Sequence, residues 1–212
     1  MKLFYAAGAS SLAAHILLEE SGLPYSLEKV NLDTKTWNHG DYVLINAKSY
    51  VPALQTENGT LLTECAVILE YIANTANTQG LLAPYASSAY WDQRMWLNYI
   101  ATELHKNFIS PVRPGNWLPN TQASQQLVYQ RVLPRLKFVE HALEQQNYLS
   151  NQHFTAPDAY LFVMTNWFKR LGYPFGELKN LQAFDAHLRE RPAIQRVLKQ
   201  EGRPHSLQAN KN

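Results

Sequence analysis

The fold is decided by the stretch VPALQTENGTLLTE, which covers residues 51–64. It begins with a short apolar strand that is entered through Pro52. Asn58-Gly59 follows, and this dipeptide between two apolar runs is the strongest short signal for a β-hairpin. Residues 60–62 are then expected to form the return strand, and the apolar spacing predicts a helix over residues 63–77. The stretch therefore predicts a hairpin that leads directly into a helix.

The residues before this hairpin predict an alternation of strands and helices. Residues 2–5 are apolar and suit a buried strand. A helix is expected from about residue 10 to residue 21, because Gly22 favours the left-handed conformation that closes a helix. A second strand and a short helix are expected at residues 25–32 and 41–45. The order β-α-β-α-β-β-α predicts a small mixed sheet with helices on its faces.

The second part of the chain predicts helices and no strand. Residues 79–87 predict a linker. Helices are expected at residues 88–108, 122–146, 154–172, 181–190 and 193–200. Thr155 and Asp158 have the spacing of a helix-capping box. The sequence thus predicts an α/β domain at residues 1–78, an all-helical domain at residues 88–200 and a polar tail at residues 201–212.

The composition argues against several classes of protein. The 212 residues carry 19 Lys and Arg against 17 Asp and Glu, and a net charge of +2 without a basic run does not suit a non-specific nucleic-acid binder. No apolar run approaches the roughly 20 residues of a membrane span. Cys65 is the only cysteine, which excludes an internal disulfide and a cysteine-rich zinc site. Residues 2–18 could pass for a signal peptide, but a strand, turn and helix explain them better, so a cytoplasmic protein is expected.

Five blocks of the sequence resemble the cytosolic glutathione transferases, and in particular their bacterial beta class. The blocks are KLFY with GASSLA (residues 2–13), VPAL (51–54), LTE (62–64), WLNYIATELHK (96–106) and FT with DAYL (154–161). Each motif alone is weak, but five in this order and spacing are specific. The resemblance implies a thioredoxin-like α/β domain that binds glutathione and an all-α domain that supplies the pocket for a second substrate.

The resemblance assigns most of the glutathione site to the first domain. Glu64 and Cys65 open a helix whose backbone N–H groups can receive the γ-glutamyl carboxylate, while Glu64 can take the ammonium group. Val51 precedes Pro52, which is typically cis in thioredoxin-like folds, and is implied to pair with the cysteinyl part like an added strand. Lys35 is implied near the glycyl carboxylate. A capped helix, a trans proline turn and a solvated lysine are the structural alternatives.

The second domain contributes a polar helix face. Asn98, Thr102 and His105 lie at positions i, i+4 and i+7 of a helix that is otherwise apolar. The beta-class pattern implies that His105 and Lys106 lie beside the thiol. It also implies that Asn98 and Glu103 lie across a homodimer interface, near the ligand of the neighbouring subunit.

The main departure from the family pattern is Ser10, where the beta class typically has cysteine. Serine cannot form a mixed disulfide, but its hydroxyl can donate to a thiolate. Such a bond contributes roughly 1.5–3 kcal/mol and a helix N-terminus roughly 0.3–1 kcal/mol, which together lower a thiol pKa by about one to three units. Ser10 is the first candidate for this donor, Ser11 the second and Tyr5 the third, and at least one serine is expected to cap the helix. Cys65 is expected to be buried and inert, or a thiol of lowered pKa.

The sequence therefore predicts a glutathione transferase that attaches the glutathione thiolate to electrophilic, mostly apolar small molecules. Glutathione is the expected co-substrate, no metal is implied, and a homodimer is expected. Candidates for the apolar wall of the second pocket are Trp96, Phe108, Trp117 and Trp167. Two alternatives stay open: a glutathione-dependent isomerase or reductase on the same scaffold, and a non-catalytic protein of the same fold that binds a partner.

Overall fold

The computed structural model describes residues 1–76, 80–108, 118–150 and 153–204. Its strands are β1 (Lys2–Tyr5), β2 (Ser26–Lys29), β3 (Thr36–Trp37), β4 (Gly40–Asp41), β5 (Ala53–Gln55) and β6 (Leu61–Thr63). Its α-helices are α1 (Ser11–Ser21), α2 (Cys65–Ala76), α3 (Ser88–Tyr99), α4 (Lys106–Phe108), α5 (Gln122–Ala142), α6 (Ala156–Arg170), α7 (Lys179–Arg189) and α8 (Pro192–Glu201). A 3-10 helix covers Tyr42–Leu44 and a π-helix covers Ile100–His105.

The chain divides into two compact units. The first contains Met1–Ala83 together with Arg191–Pro204, and the second contains Pro84–Glu190. The sequence assigns residues 193–200 to the helical domain, whereas the structure groups α8 with the first unit. The reason is that α8 packs along α1, where Arg191 forms a two-pronged ion pair with Glu20.

A mixed four-stranded sheet forms the centre of the first unit. Its strand order is β2-β1-β5-β6, with β1 parallel to β2 and with β5 antiparallel to both β1 and β6. α1 and α2 pack against each other and against the sheet. Phe4 of β1 belongs to a buried cluster with Val30, Tyr42, Val51 and Ala53. This core fixes the start of β5, where the candidate site lies.

The predicted hairpin is confirmed, but its boundaries are shifted. β5 and β6 pair antiparallel around Asn58-Gly59, and Gly59 has a φ of 85°. Thr63 still pairs with Ala53, so the helix that was expected from residue 63 begins only at Cys65. The small β3–β4 hairpin was not predicted, because strands of two residues leave no alternation to detect.

The second unit is helical in its described part, in agreement with the sequence. The helix predicted over residues 88–108 is three consecutive segments, because the π-helix at Ile100–His105 separates α3 from α4. The capping box at Thr155 and Asp158 is confirmed at the start of α6. α5 continues through Pro134 and ends at Ala142. Among the described residues no strand follows β6, and we find there no helix with the length and apolar character needed to span a bilayer.

Candidate functional site

Ser10 lies directly before α1 and is nearly buried, with 5% of its surface exposed. Its hydroxyl donates a hydrogen bond of 3.1 Å to the carbonyl oxygen of Val51. Val51 precedes β5, and the peptide bond from Val51 to Pro52 is cis. The structure thus brings together the serine and the backbone position that the sequence assigns to the cysteinyl part of glutathione.

Ser10 occupies the N-cap position of α1, but neither serine caps the helix through its side chain, so the expectation of a serine cap is wrong. Ser10 makes no capping bond through its side chain, because its φ of −61° and ψ of −20° are already helical and a capping residue normally adopts an extended backbone. Ser11 is fully buried, and its hydroxyl donates to the carbonyl of Ala6 and accepts from the Ala6 amide, both at 3.2 Å. Ser11 therefore holds the turn before α1, whereas the hydroxyl of Ser10 is directed to Val51.

Glu64 connects β6 to α2 in a strained conformation. Its φ of 67° lies in the left-handed region, which residues other than glycine rarely adopt and which is often found at functional sites. One carboxylate oxygen accepts a bond of 2.6 Å from the Lys48 ammonium and one of 2.7 Å from the Tyr50 hydroxyl. The side chain of Glu64 is 54% exposed. The site therefore presents a carboxylate that already binds an ammonium group.

Lys48 and Tyr50 are part of this cluster and were not identified from the sequence. The hydrogen bond that Lys48 donates to Glu64 is the main reason that the pKa of Lys48 is raised above its ordinary value. Burial, followed by the bond to Glu64, raises the pKa of Tyr50. Both residues therefore keep their protons at neutral pH and remain donors. The only local signal was their position directly before Val51-Pro52.

Cys65, the first residue of α2, is buried. Its thiol donates a hydrogen bond of 3.5 Å to the backbone carbonyl of Ser10. This contact joins the start of α2 to the start of α1, so Cys65 packs behind the serine. Lys35 lies in a different environment: it is exposed in the segment before β3, with a φ of 58°.

Tyr5 lies at the end of β1 and is 9% exposed. Burial, with a smaller contribution from the Glu201 carboxylate, raises the pKa of Tyr5 above its ordinary value. The hydroxyl therefore stays protonated at neutral pH, and it is a weaker acid than an ordinary tyrosine. Tyr5 therefore remains a possible donor, and its place behind the two serines rests on the family resemblance alone.

The candidate residues of the second unit cluster in and around the π-helix. His105 accepts or donates a hydrogen bond of 2.6 Å between its Nδ1 and the Tyr160 hydroxyl, and its ring lies edge-on to Trp167 at 5.0 Å. Glu103 forms an ion pair of 2.8 Å with Arg135. A π-helix is rare and is frequently found at functional sites.

The remaining candidates of the second unit differ in exposure. Asn98 and Lys106 are exposed, and the Asn98 carbonyl accepts from Thr102 at 3.0 Å. Phe108 and Trp167 are buried in the core of the unit, whereas Trp96 packs against Tyr99 and Phe138. Trp117 lies outside the described residues.

Comparisons with known proteins agree with this architecture. Residues 9–75 match the family of the glutathione S-transferase N-terminal domain, and residues 97–192 match that of the glutathione S-transferase C-terminal domain. The chain is 40% identical to glutathione S-transferase GstA of Escherichia coli O157:H7 over 206 residues, which cover 95% of this chain and 99% of that protein.

Solved structures give the same result. A sphingomonad glutathione S-transferase complexed with glutathione is 30% identical, with a TM-score of 0.89 over 96% of this chain and 100% of that one. The bacterial beta-class glutathione S-transferase of Sphingomonas chungbukensis is 31% identical, with a TM-score of 0.88 over 95% of this chain and 99% of that one.

Proposed function

The chain belongs to the glutathione S-transferase family, and we propose that it activates glutathione through Ser10 for attack on apolar electrophiles. In the reaction the glutathione sulfur forms a bond to an electrophilic carbon, and the leaving group departs with its bonding electrons. The thiol proton is released to solvent before the attack. The protein binds the peptide, lowers the pKa of its thiol and holds the sulfur near the carbon.

Binding is proposed to use the backbone at Val51 and the carboxylate of Glu64. The Val51 carbonyl oxygen has two lone pairs, so it can accept from the cysteinyl N–H of glutathione while it also accepts from Ser10. Glu64 already binds one ammonium group, that of Lys48, which supports its assignment to the γ-glutamyl ammonium. The start of α2 is assigned to the γ-glutamyl carboxylate, because backbone N–H groups at a helix N-terminus favour a bound anion.

The hydrogen bond from Ser10 to Val51 limits how far the thiol can be activated. A hydroxyl has one proton, so donation to a thiolate requires the Ser10 hydroxyl to turn away from the Val51 carbonyl. The exchange replaces a neutral acceptor by a charged one, a gain of roughly 0.5–2 kcal/mol, and the N-terminus of α1 adds roughly 0.3–1 kcal/mol. The expected decrease in the thiol pKa is therefore about one to two units, from about 8.5 to near 7.

The observation that carries this proposal is the buried Ser10 hydroxyl against Val51, and Ser10→Ala tests it. The variant is expected to bind glutathione but to shift the pH–rate profile of conjugation with an aryl halide upward by about one unit. Ser21→Ala is the matched control, because Ser21 is a buried serine at the other end of α1 whose hydroxyl bonds to the Leu18 carbonyl. It is expected to lower stability and to leave the profile unchanged. An unchanged profile for Ser10→Ala contradicts the proposal, and a shift in Ser11→Ala but not in Ser10→Ala assigns activation to Ser11.

The second unit is proposed to complete the site. His105 and Lys106 beside the thiol, and Asn98 and Glu103 at the interface of a homodimer, remain predictions from the family pattern. The cytoplasm is the proposed compartment, because thiols are kept reduced there. A reductase that forms a disulfide at position 10 is excluded by the chemistry of serine.

A further inference from the structure

Glu201, the last residue of α8, reaches the turn that precedes Ser10. One of its carboxylate oxygens accepts a hydrogen bond of 2.9 Å from the backbone amide of Gly8. The other lies 3.0 Å from Nδ1 of His15 on α1. The side chain of Glu201 is 2% exposed and that of His15 is 0% exposed. One buried carboxylate thus connects α8, α1 and the turn between β1 and α1.

The atoms that meet in this contact define how Glu201, Gly8 and His15 are held together. The Gly8 amide donates to one oxygen of Glu201, because an amide N–H is a donor and a carboxylate oxygen an acceptor, while His15 Nδ1 contacts the other oxygen. His15 Nε2 lies 3.2 Å from the side-chain oxygen Oε1 of Gln200, so both ring nitrogens contact residues of α8. Removing one partner of a buried charge is strongly destabilising, because the remaining charge stays desolvated. These three groups therefore hold one another in a single arrangement.

The turn that Glu201 contacts also carries the candidate donor. Gly8 has a φ of 67°, and the Ala9 amide donates to the Ala6 carbonyl at 3.0 Å. Ser11 bonds to Ala6 from the other side. Ser10 lies two residues after Gly8, so a displacement of Gly8 changes where the Ser10 hydroxyl lies relative to the Val51 carbonyl.

We propose that Glu201 is a positioning residue for thiol activation: by binding the Gly8 amide, the end of α8 sets the position of the Ser10 hydroxyl. The inference rests on the proposed role of Ser10. It assigns α8 a part in the reaction without any contact to glutathione. Because Glu201 is 193 residues from Gly8 in sequence, the position of the donor depends on the docking of α8 onto α1.

The test compares Glu201→Ala, Glu201→Gln and Glu201→Asp with Glu20→Ala. Glu20→Ala is the matched control, since it also removes a carboxylate that joins α1 to α8, through Arg191, but one that does not contact the turn. Glu201→Gln keeps an oxygen for the Gly8 amide, whereas Glu201→Asp keeps the charge on a side chain shorter by one methylene. The readouts are Tm, kcat/KM over pH, the pKa of the bound thiol, and hydrogen exchange of Gly8 in protein labelled with 15N-glycine.

Glu201→Ala is expected to accelerate exchange at Gly8, to lower kcat/KM between about tenfold and hundredfold and to raise the pKa of the bound thiol. Glu201→Gln is expected to recover most of the activity, and Glu20→Ala to lower Tm with an unchanged thiol pKa. If Glu201→Ala does not fold, Glu201→Asp is compared with Glu20→Ala instead, and its decrease in kcat/KM is expected to be smaller. An unchanged thiol pKa in a folded Glu201→Ala or Glu201→Asp overturns the inference. A decrease in kcat/KM that is as large in Glu20→Ala as in Glu201→Ala overturns it as well.

The two proposals fail in distinguishable ways. If Ser10→Ala has the pH profile of the parent, the proposed function of Ser10 is wrong. Faster exchange at Gly8 in Glu201→Ala would then report a structural contact alone, and the positioning role is overturned with it. If Ser10→Ala shifts the profile but Glu201→Ala does not, only the inference on Glu201 is overturned.

Discussion

Replacing Glu64 by Gln is expected to weaken glutathione binding about tenfold. In the proposed complex the Glu64 carboxylate faces the ammonium group of the ligand. A hydrogen bond to a charged group contributes about 1.5–3 kcal/mol, and the 54% exposure of this side chain places it at the lower end of that range. A loss of about 1.4 kcal/mol corresponds to a tenfold change in the dissociation constant. Gln has the same backbone and a similar shape, so the turn before α2 is expected to be retained.

Isothermal titration calorimetry with glutathione at neutral pH measures the effect. Glu57→Gln is the matched control, because it removes the same charge from an exposed position in the β5–β6 hairpin. It is expected to bind as the parent does. Lys48→Met removes the ammonium group that Glu64 now binds but keeps the carboxylate, so most of the affinity is expected to remain. Equal affinities of Glu64→Gln and Glu57→Gln would refute the assignment, and a loss confined to Lys48→Met would place the ligand on Lys48 instead.

Other perturbations act on stability, redox chemistry and assembly. Burial alone would raise the pKa of Asp185, but Arg189 holds it below its ordinary value. The resulting stabilisation is present above about pH 4 and is lost as the pH falls through the native pKa. Asp185→Asn is therefore expected to lose about 2 kcal/mol at pH 7, or roughly 4–8 °C in Tm, and a difference from the parent that persists undiminished in acid would contradict this. Ser10→Cys with oxidised glutathione is expected to gain one reducible glutathionyl group at position 10 by mass spectrometry, whereas any adduct of the parent must map to Cys65. Light scattering is expected to show a dimer, and a mass near 24.3 kDa at micromolar concentration would contradict it.

Short-range signals predicted most of the fold correctly. Asn58-Gly59, Gly22 and the pair of Thr155 with Asp158 each act within a few residues, so the sequence contains the whole interaction. Longer patterns predicted the helices but not their local geometry. The π-helix at Ile100–His105 is an example, since residues on its wider turn keep nearly the same apolar spacing.

The candidate site was predicted only in part, because its contacts join residues that are far apart in sequence. Glu64 and Val51 were assigned to the site through the resemblance to the family, because a helix start and a proline alone also have structural explanations. The bond from Ser10 to Val51 spans 41 residues and that from Gly8 to Glu201 spans 193. Neither of these hydrogen bonds produces a periodic pattern in the sequence. The sequence therefore identified Ser10 as a candidate donor, but not the acceptor that holds its hydroxyl.

The central claim is that this chain binds glutathione and lowers the pKa of its thiol. Calorimetric titration in two buffers of different ionisation enthalpy measures the protons released on binding, with S-methylglutathione as the ligand that has no ionisable thiol. A pKa that falls from about 8.5 to near 7 predicts release of about half a proton at pH 7 with glutathione and none with S-methylglutathione, while both ligands bind. Equal proton release for the two ligands, or no binding of either, would contradict the account.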